Sequence, residues 1–286
     1  MLPLPTYSLI RSLVMARRFA GKKAMPCLAL SLMAMMTGNV AHAQSSLADT
    51  LAQYRQQLAD DNPAELAEAK GEELWKKPRG PNNATLQQCD LGAGPGVLKG
   101  AYVALPRYFK DTDRVQDIES RLVTCMTSLQ GFSVAEASKN PFGANSDMQA
   151  LAAYVASQSR GLKIAAGASH PKERQAIAIG QQIFNYRAGT HDFSCATCHG
   201  ESSKRIRLQD LPNLRDPKEA QRTYATWPAY RVSQGEVRTM QHRLWDCFRQ
   251  QRLPEIQYNS EAVIALTAYL ANMAAGGLYD APSVKR

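Results

Sequence analysis

The segment Cys195-Ala196-Thr197-Cys198-His199 narrows the folds open to this 286-residue chain more than any other feature. Its C-x-x-C-H spacing is that of a c-type haem attachment site. Two thiols add to the porphyrin vinyl groups, and the adjacent imidazole reaches the iron from the same side. The other uses of such a cysteine pair fit less well. A thioredoxin-like redox pair follows a strand, whereas Gly180 to Tyr186 reads as helix. A zinc site needs a second ligand pair, and none has suitable spacing.

The motif belongs to an internal repeat. Gly71-Glu72-Glu73-Leu74-Trp75 matches Gly180-Gln181-Gln182-Ile183-Phe184, and the same shift carries Leu86 onto Cys195, Cys89 onto Cys198 and Asp90 onto His199. Further on, Arg121-Leu122-Val123-Thr124-Cys125 matches Arg243-Leu244-Trp245-Asp246-Cys247. Asn145-Ser146-Asp147 matches Asn259-Ser260-Glu261, and Ala153-Tyr154-Val155-Ala156 matches Ala268-Tyr269-Leu270-Ala271. Each copy reads as a first helix, a haem-site turn, a middle helix and a closing helix, with Val263, Leu266 and Leu270 at helical spacing. The predicted fold is therefore all-α: two cytochrome-c-like domains in tandem, at 44–165 and 166–286, joined near Gly161 to His170. Leu86 and Asp90 deprive the first domain of a thioether and a proximal ligand, so it is expected to carry no haem. Cys89 and Cys125 would then flank an emptied haem site and pair as a disulfide, or else remain as two buried free thiols.

Residues 1–43 form an export segment. Arg11, Arg17, Arg18, Lys22 and Lys23 precede the apolar run Ala24 to Met36, and Ala41-His42-Ala43 supplies a small-residue end. The run is shorter than the ~20 residues of a spanning helix. We expect cleavage after Ala43 and a periplasmic product with no membrane span; a retained N-terminal anchor is the alternative. Arg17-Arg18 hints at twin-arginine export. The formal net charge is +9, of which this segment supplies +5. The +4 left to the mature chain is too mild for a nucleic-acid binder. With 44% apolar and 21% charged residues, the chain is neither disordered nor a polytopic membrane protein.

Removing Cys27 with the leader leaves Cys247 without an obvious partner. On a helix Arg243 and Cys247 share one face, and a cation there favours the thiolate, which is both nucleophile and metal ligand. The window His199 to Arg252 holds 11 Lys/Arg against 6 Asp/Glu, enough to steer a small anion. Four residues compete for the iron's sixth position: Met240, His242, Met273 and Cys247. His242 would point away from Cys247 on a helix. Trp75, Trp227 and Phe184 read as core or haem packing, and His170 and His191 as surface residues in loops.

With these residues in hand, the chain resembles the SoxA family, the larger subunits of the SoxAX cytochrome complexes of bacterial thiosulfate oxidation. The most specific segments are C-A-T-C-H-G at Cys195, M-Q-H-R-L-W-D-C-F-R-Q at Met240 and N-S-E…L-T-A-Y-L-A at Asn259. The resemblance implies one covalently attached haem c on Cys195 and Cys198, with His199 and Cys247 as axial ligands. It implies a persulfide at Cys247, and thiosulfate held by Arg243. Leu86 and Asp90 depart from members carrying a second haem and match the single-haem branch, with a disulfide in the first domain. The implied activity is that of an L-cysteine S-thiosulfotransferase, which joins thiosulfate oxidatively to a cysteine of the sulfur carrier SoxYZ. Its electrons would pass to the small cytochrome subunit SoxX, the partner in a heterodimer. The alternatives are a periplasmic electron-transfer cytochrome ligated by His199 and Met240 or Met273, and a docking subunit without chemistry of its own.

Overall fold

Side-chain caps mark most of the longer helix starts in this chain, though not those of the first and last helices of the first half. Pro63 precedes α1 (Ala64–Lys76), which turns Gly71, Leu74 and Trp75 inward. A 3-10 turn at Tyr102–Ala104 leads to a hairpin, β1 (Arg107–Phe109) with β2 (Arg114–Gln116). Asp117 caps α2 (Ile118–Ser128) in a reciprocal box with Ser120. Short α3 (Val134–Ala137) and then α4 (Asp147–Ser157) complete the first half. The second half opens with α5 (Pro171–Asn185), α6 (Cys195–His199) and the ribbon β3 (Arg205–Ile206) with β4 (Gln209–Asp210). It continues through α7 (Pro217–Tyr224), the hairpin β5 (Ala229–Arg231) with β6 (Glu236–Arg238), α8 (Met240–Gln250) and α9 (Glu261–Met273). A terminal strand, β7 (Ser283–Lys285), lies parallel to β5. This computed structural model describes Gln57, 61–206 and 209–285. The expected export segment and its cleavage after Ala43 lie outside the described residues.

The helical frame thus carries short strands that an all-α reading omits. They group as two two-stranded ribbons and one three-stranded sheet in the order β6-β5-β7. Strands of two or three residues are too short for an alternating pattern to register in sequence.

The repeat is visible in space. In each half the first helix crosses the last, α1 against α4 and α5 against α9. A Cβ added at Gly71 would lie 2.1 Å from the Ala150 carbonyl oxygen, and one at Gly180 would lie 2.0 Å from that of Ala265. Both crossings bring backbone against backbone, and only glycine fits. Trp75 with Tyr154 and Phe184 with Tyr269 form the adjoining aromatic pairs.

The halves also exchange their hairpins. β1–β2 packs on α5 of the second half, where Glu173 accepts the Tyr108 amide at 2.8 Å. β5–β6 packs on α1 and α4 of the first half, with Val237 and Tyr230 against Ala64 and Ala153. Between them Gln241 of α8 donates to buried Asp117 at 2.6 Å. Buried apolar side chains from both halves form one continuous core.

Candidate functional site

Four short stretches of chain build the site. The first is α6. Ser194 caps it, Thr197 returns the bond to the Ser194 amide, and Gly200 ends it after a single turn. One turn is enough to put Cys195, Cys198 and His199 on neighbouring positions of one face. All three are half-buried, and both thiols are free.

The second stretch is the loop that orients the imidazole. His199 Nδ1 lies 2.9 Å from the Pro212 carbonyl oxygen. An acceptor there holds the proton on Nδ1 and leaves Nε2 with a lone pair for a metal. Burial lowers the pKa of His199, the Pro212 bond opposes this, and the Arg243 charge lowers it further. A neutral ring with a fixed tautomer is what iron ligation requires.

The third stretch is α8, capped by Thr239, which carries Arg243 and Cys247. Burial raises the Cys247 thiol above its usual value, although Arg243 and Arg231 pull it down. The arginine acts in the expected sense, but desolvation outweighs it. Iron would reverse that balance, because a coordinating thiol is deprotonated outright. Cys247 feels the charge of Cys198, and Cys195 feels that of Cys247. α8 therefore delivers its cysteine to the C-x-x-C-H turn.

The fourth stretch, 253–257, closes an apolar cavity of about 380 Å³. Ile183 and Tyr186 from the end of α5, Ala188, Cys195 and Phe248 form the rest of its wall. Cys195 opens into this apolar pocket, and His199, one turn further along the same helix, offers an imidazole with Nε2 free; such a donor set fits a porphyrin carrying iron. The chain's own donors pass this test.

The other candidates for the sixth position lie elsewhere. Met240 packs with Tyr102, Leu105, Asp117 and Thr267 on the face between the halves. His242 is buried with Phe142 and Trp245, whose rings lie 5.3 and 5.7 Å away. Met273 ends α9 and packs against the core. Trp75, Trp227 and Phe184 are core residues. His170 is not a plain surface residue: it caps α5 and stacks on Tyr108 at 3.7 Å. His191 is exposed.

At the matching place in the first half, the pocket is filled. Leu86 and Leu91 are fully buried, and Cys89 and Cys125 form a disulfide with Cα atoms 5.5 Å apart. In the chain-entropy model such a loop closure contributes ~3–4 kcal/mol. Asp90 accepts from the amides of Gly92 and Gly94 instead of facing a metal. Arg121, the counterpart of Arg243, donates to the Asp90 carbonyl and to Asp111, and lies over Phe109 at 4.0 Å.

Sequence reasoning passed over Pro212, Arg231 and Lys285. Only tertiary structure brings Pro212 to His199, and Arg231 and Lys285 to the neighbourhood of Arg243, so no local spacing announces them.

Both halves of the chain also resemble known proteins. The family model described as SoxA/TsdA, cytochrome c domain, matches residues 70–164 and 179–277, one segment in each half. The L-cysteine S-thiosulfotransferase subunit SoxA of Hydrogenophilus thermoluteolus is 50% identical over 236 residues, covering 82% of this chain and 86% of that protein. A protein of the same name from Hydrogenobacter thermophilus is 34% identical, covering 77% and 83%. A crystal structure of SoxXA from P. pantotrophus superposes with a TM-score of 0.67 at 25% identity, covering 82% of this chain and 84% of that one. With both halves matched by the family and half of the 236 aligned residues identical in such a relative, the chain belongs to the SoxA/TsdA cytochrome c family, as one of its SoxA members.

Proposed function

We propose that this protein is the SoxA subunit of an L-cysteine S-thiosulfotransferase. In that reaction a bond forms between the outer sulfur of thiosulfate and a cysteine of the carrier SoxYZ. One proton and two electrons leave, and the cytochrome partner takes the electrons. Cys195 and Cys198 would hold one haem c covalently, with His199 and Cys247 as the residues that would ligate its iron. When bound, the haem would supply an iron that takes sulfur and a route for single electrons.

The chain's own residues do the rest. Arg243 presents a planar fork of donors to the oxyanion end. Cys247, as a persulfide, would bond to the outer sulfur of thiosulfate as two electrons pass to the cytochrome partner; the carrier thiolate would then attack that outer sulfur, and the Cys247 persulfide anion would leave. The cavity wall of Ile183, Phe248 and the 253–257 stretch keeps water from the haem face. We divide the mature protein into a haem-free domain at 44–165 and a haem domain at 166–286. A small cytochrome subunit like that in the SoxXA complex is the proposed heterodimer partner. A cleaved leader ending at Ala43 places the complex in the periplasm. Among the described residues no helix is long and apolar enough to cross a membrane.

The carrying observation is that α8 brings an otherwise unpaired thiol, with Arg243 on the same helix, to the C-x-x-C-H turn. The test is Cys247→Ala in the assembled complex. Expected are an altered oxidised absorption spectrum, loss of thiosulfate transfer, and loss of any added sulfur mass on the protein. An unchanged spectrum with transfer intact would overturn the assignment and leave an electron-transfer cytochrome.

A further inference from the structure

The two halves hold their matching arginines in opposite company. In the first, Arg121 is buried and satisfied: Nε donates to the Asp90 carbonyl, Nη1 to Asp111 and Gln116, and the guanidinium covers the Phe109 ring. In the second, the hairpin register that holds Phe109 holds Arg231 instead. Arg243 therefore faces a second guanidinium where Arg121 faces an aromatic ring.

A third cation joins them. β7 has no counterpart in the first half, and it pairs with β5 so that Lys285 stands directly opposite Arg231. Opposed residues on neighbouring strands project to the same side, and like charges so placed destabilise a sheet. Among the described residues neither Arg231 nor Lys285 forms an ion pair; Glu236 stands opposite Arg231 on β6, but its carboxylate accepts from the Asn145 amide. Arg243 has only a long 3.8 Å contact with Asp246, whose oxygens already accept from Arg249 and Gln250. Lys285 lies 5.8 Å from the Trp227 ring centre, which positions an ammonium without neutralising it. Burial, with Arg231 and Arg243 nearby, pushes Lys285 down to about 8. All three cations are half-buried, and Cys247 feels both arginines.

Folding alone gives no reason to gather three under-partnered cations at one thiol and none at its counterpart. We propose that Arg231 and Lys285 complete, with Arg243, a three-cation cradle that binds a divalent sulfur oxyanion beside Cys247. Arg231 and Lys285 are positioning residues: they hold the oxygen end of the dianion so that its outer sulfur faces the cysteine. They also set selectivity, because a monoanion leaves more of the cradle charge uncompensated than a dianion does. This deepens the thiosulfate reading and rests on it.

Sulfate tests the cradle separately from the reaction, since it is a dianion without an outer sulfur. Sodium sulfate is titrated calorimetrically into the haem-loaded complex of the wild type, Arg231→Phe, Lys285→Gln and the surface control Arg187→Gln. Arg231→Phe restores the residue that the first half carries, and circular dichroism reports whether each variant is folded. Sulfate is expected to bind the wild type and the control alike and to weaken about tenfold or more in each cradle variant. Perchlorate at equal ionic strength is expected to compete poorly. The KM for thiosulfate should rise in parallel, with kcat falling less. Equal sulfate affinity in the wild type and both cradle variants, or no sulfate binding to the wild type, overturns the cradle even if transfer is active. If sulfate binding follows the cradle variants while the wild type transfers no thiosulfate, the reaction assignment falls and the anion site stands.

Discussion

Arg243 and Arg121 occupy matching places in a repeat, yet only one is available for chemistry. Every donor that Arg121 directs at a neighbour meets an acceptor or a ring, so it serves the fold. Arg243 keeps its fork open, and lysine cannot copy two parallel bonds to an oxyanion. Arg243→Lys is expected to cut thiosulfate transfer about tenfold to a hundredfold, the worth of one or two charge-assisted bonds. Comparing kcat/KM at saturating carrier checks this, with an unchanged absorption spectrum showing that the haem site is intact. At this scale the sequence was legible where chemistry is local. The C-x-x-C-H turn and the Arg243–Cys247 spacing could be read directly. The thiol's protonation could not, because burial of Cys247 outweighs its neighbouring guanidiniums and burial is a tertiary property. Arg231 and Lys285 were hidden for a related reason. They meet only through a parallel pairing between β5 and the last residues of the chain.

Among the elements, the crossing of α5 with α9 determines where the haem-side wall stands. Gly180 permits that crossing, and a methyl group there would lie 2.0 Å from the Ala265 carbonyl oxygen. Gly180→Ala must part the helices, at a cost of about 1–3 kcal/mol typical of overpacking. The measurement is a denaturant melt of the loaded protein, with Ala178→Gly on the same helix as a propensity control. The helices themselves were legible because capping residues and apolar spacing are local signals. Ser260 before Val263, Leu266 and Leu270 announces α9 in the sequence. The hairpins were not, since strands of three residues leave no period to detect.

For the molecule as a whole, the seam between the halves contains two fully buried carboxyls. Burial, with Asp117 beside it, raises the pKa of Glu119 well above its usual range, and burial raises that of Asp117. A carboxyl raised in the folded state contributes stability that is present below its unfolded value, near 4, and lost as pH rises through the folded value. Glu119→Gln keeps the shape and removes the ionisation. Its unfolding midpoint is expected to exceed that of the wild type at pH 8, and the gap should close as pH falls towards 4. A gap independent of pH would assign the effect to packing instead.

The exchanged hairpins give the two halves a mutual dependence. Each supplies the ribbon that covers the other's helices, through Tyr108 with Glu173 on one side and Val237 with Ala64 on the other. A protease cut between Gly161 and His170 would therefore sever the covalent thread without parting the pieces, which should travel together on gel filtration. The half that lacks a C-x-x-C-H turn is thus indispensable as the other's missing wall.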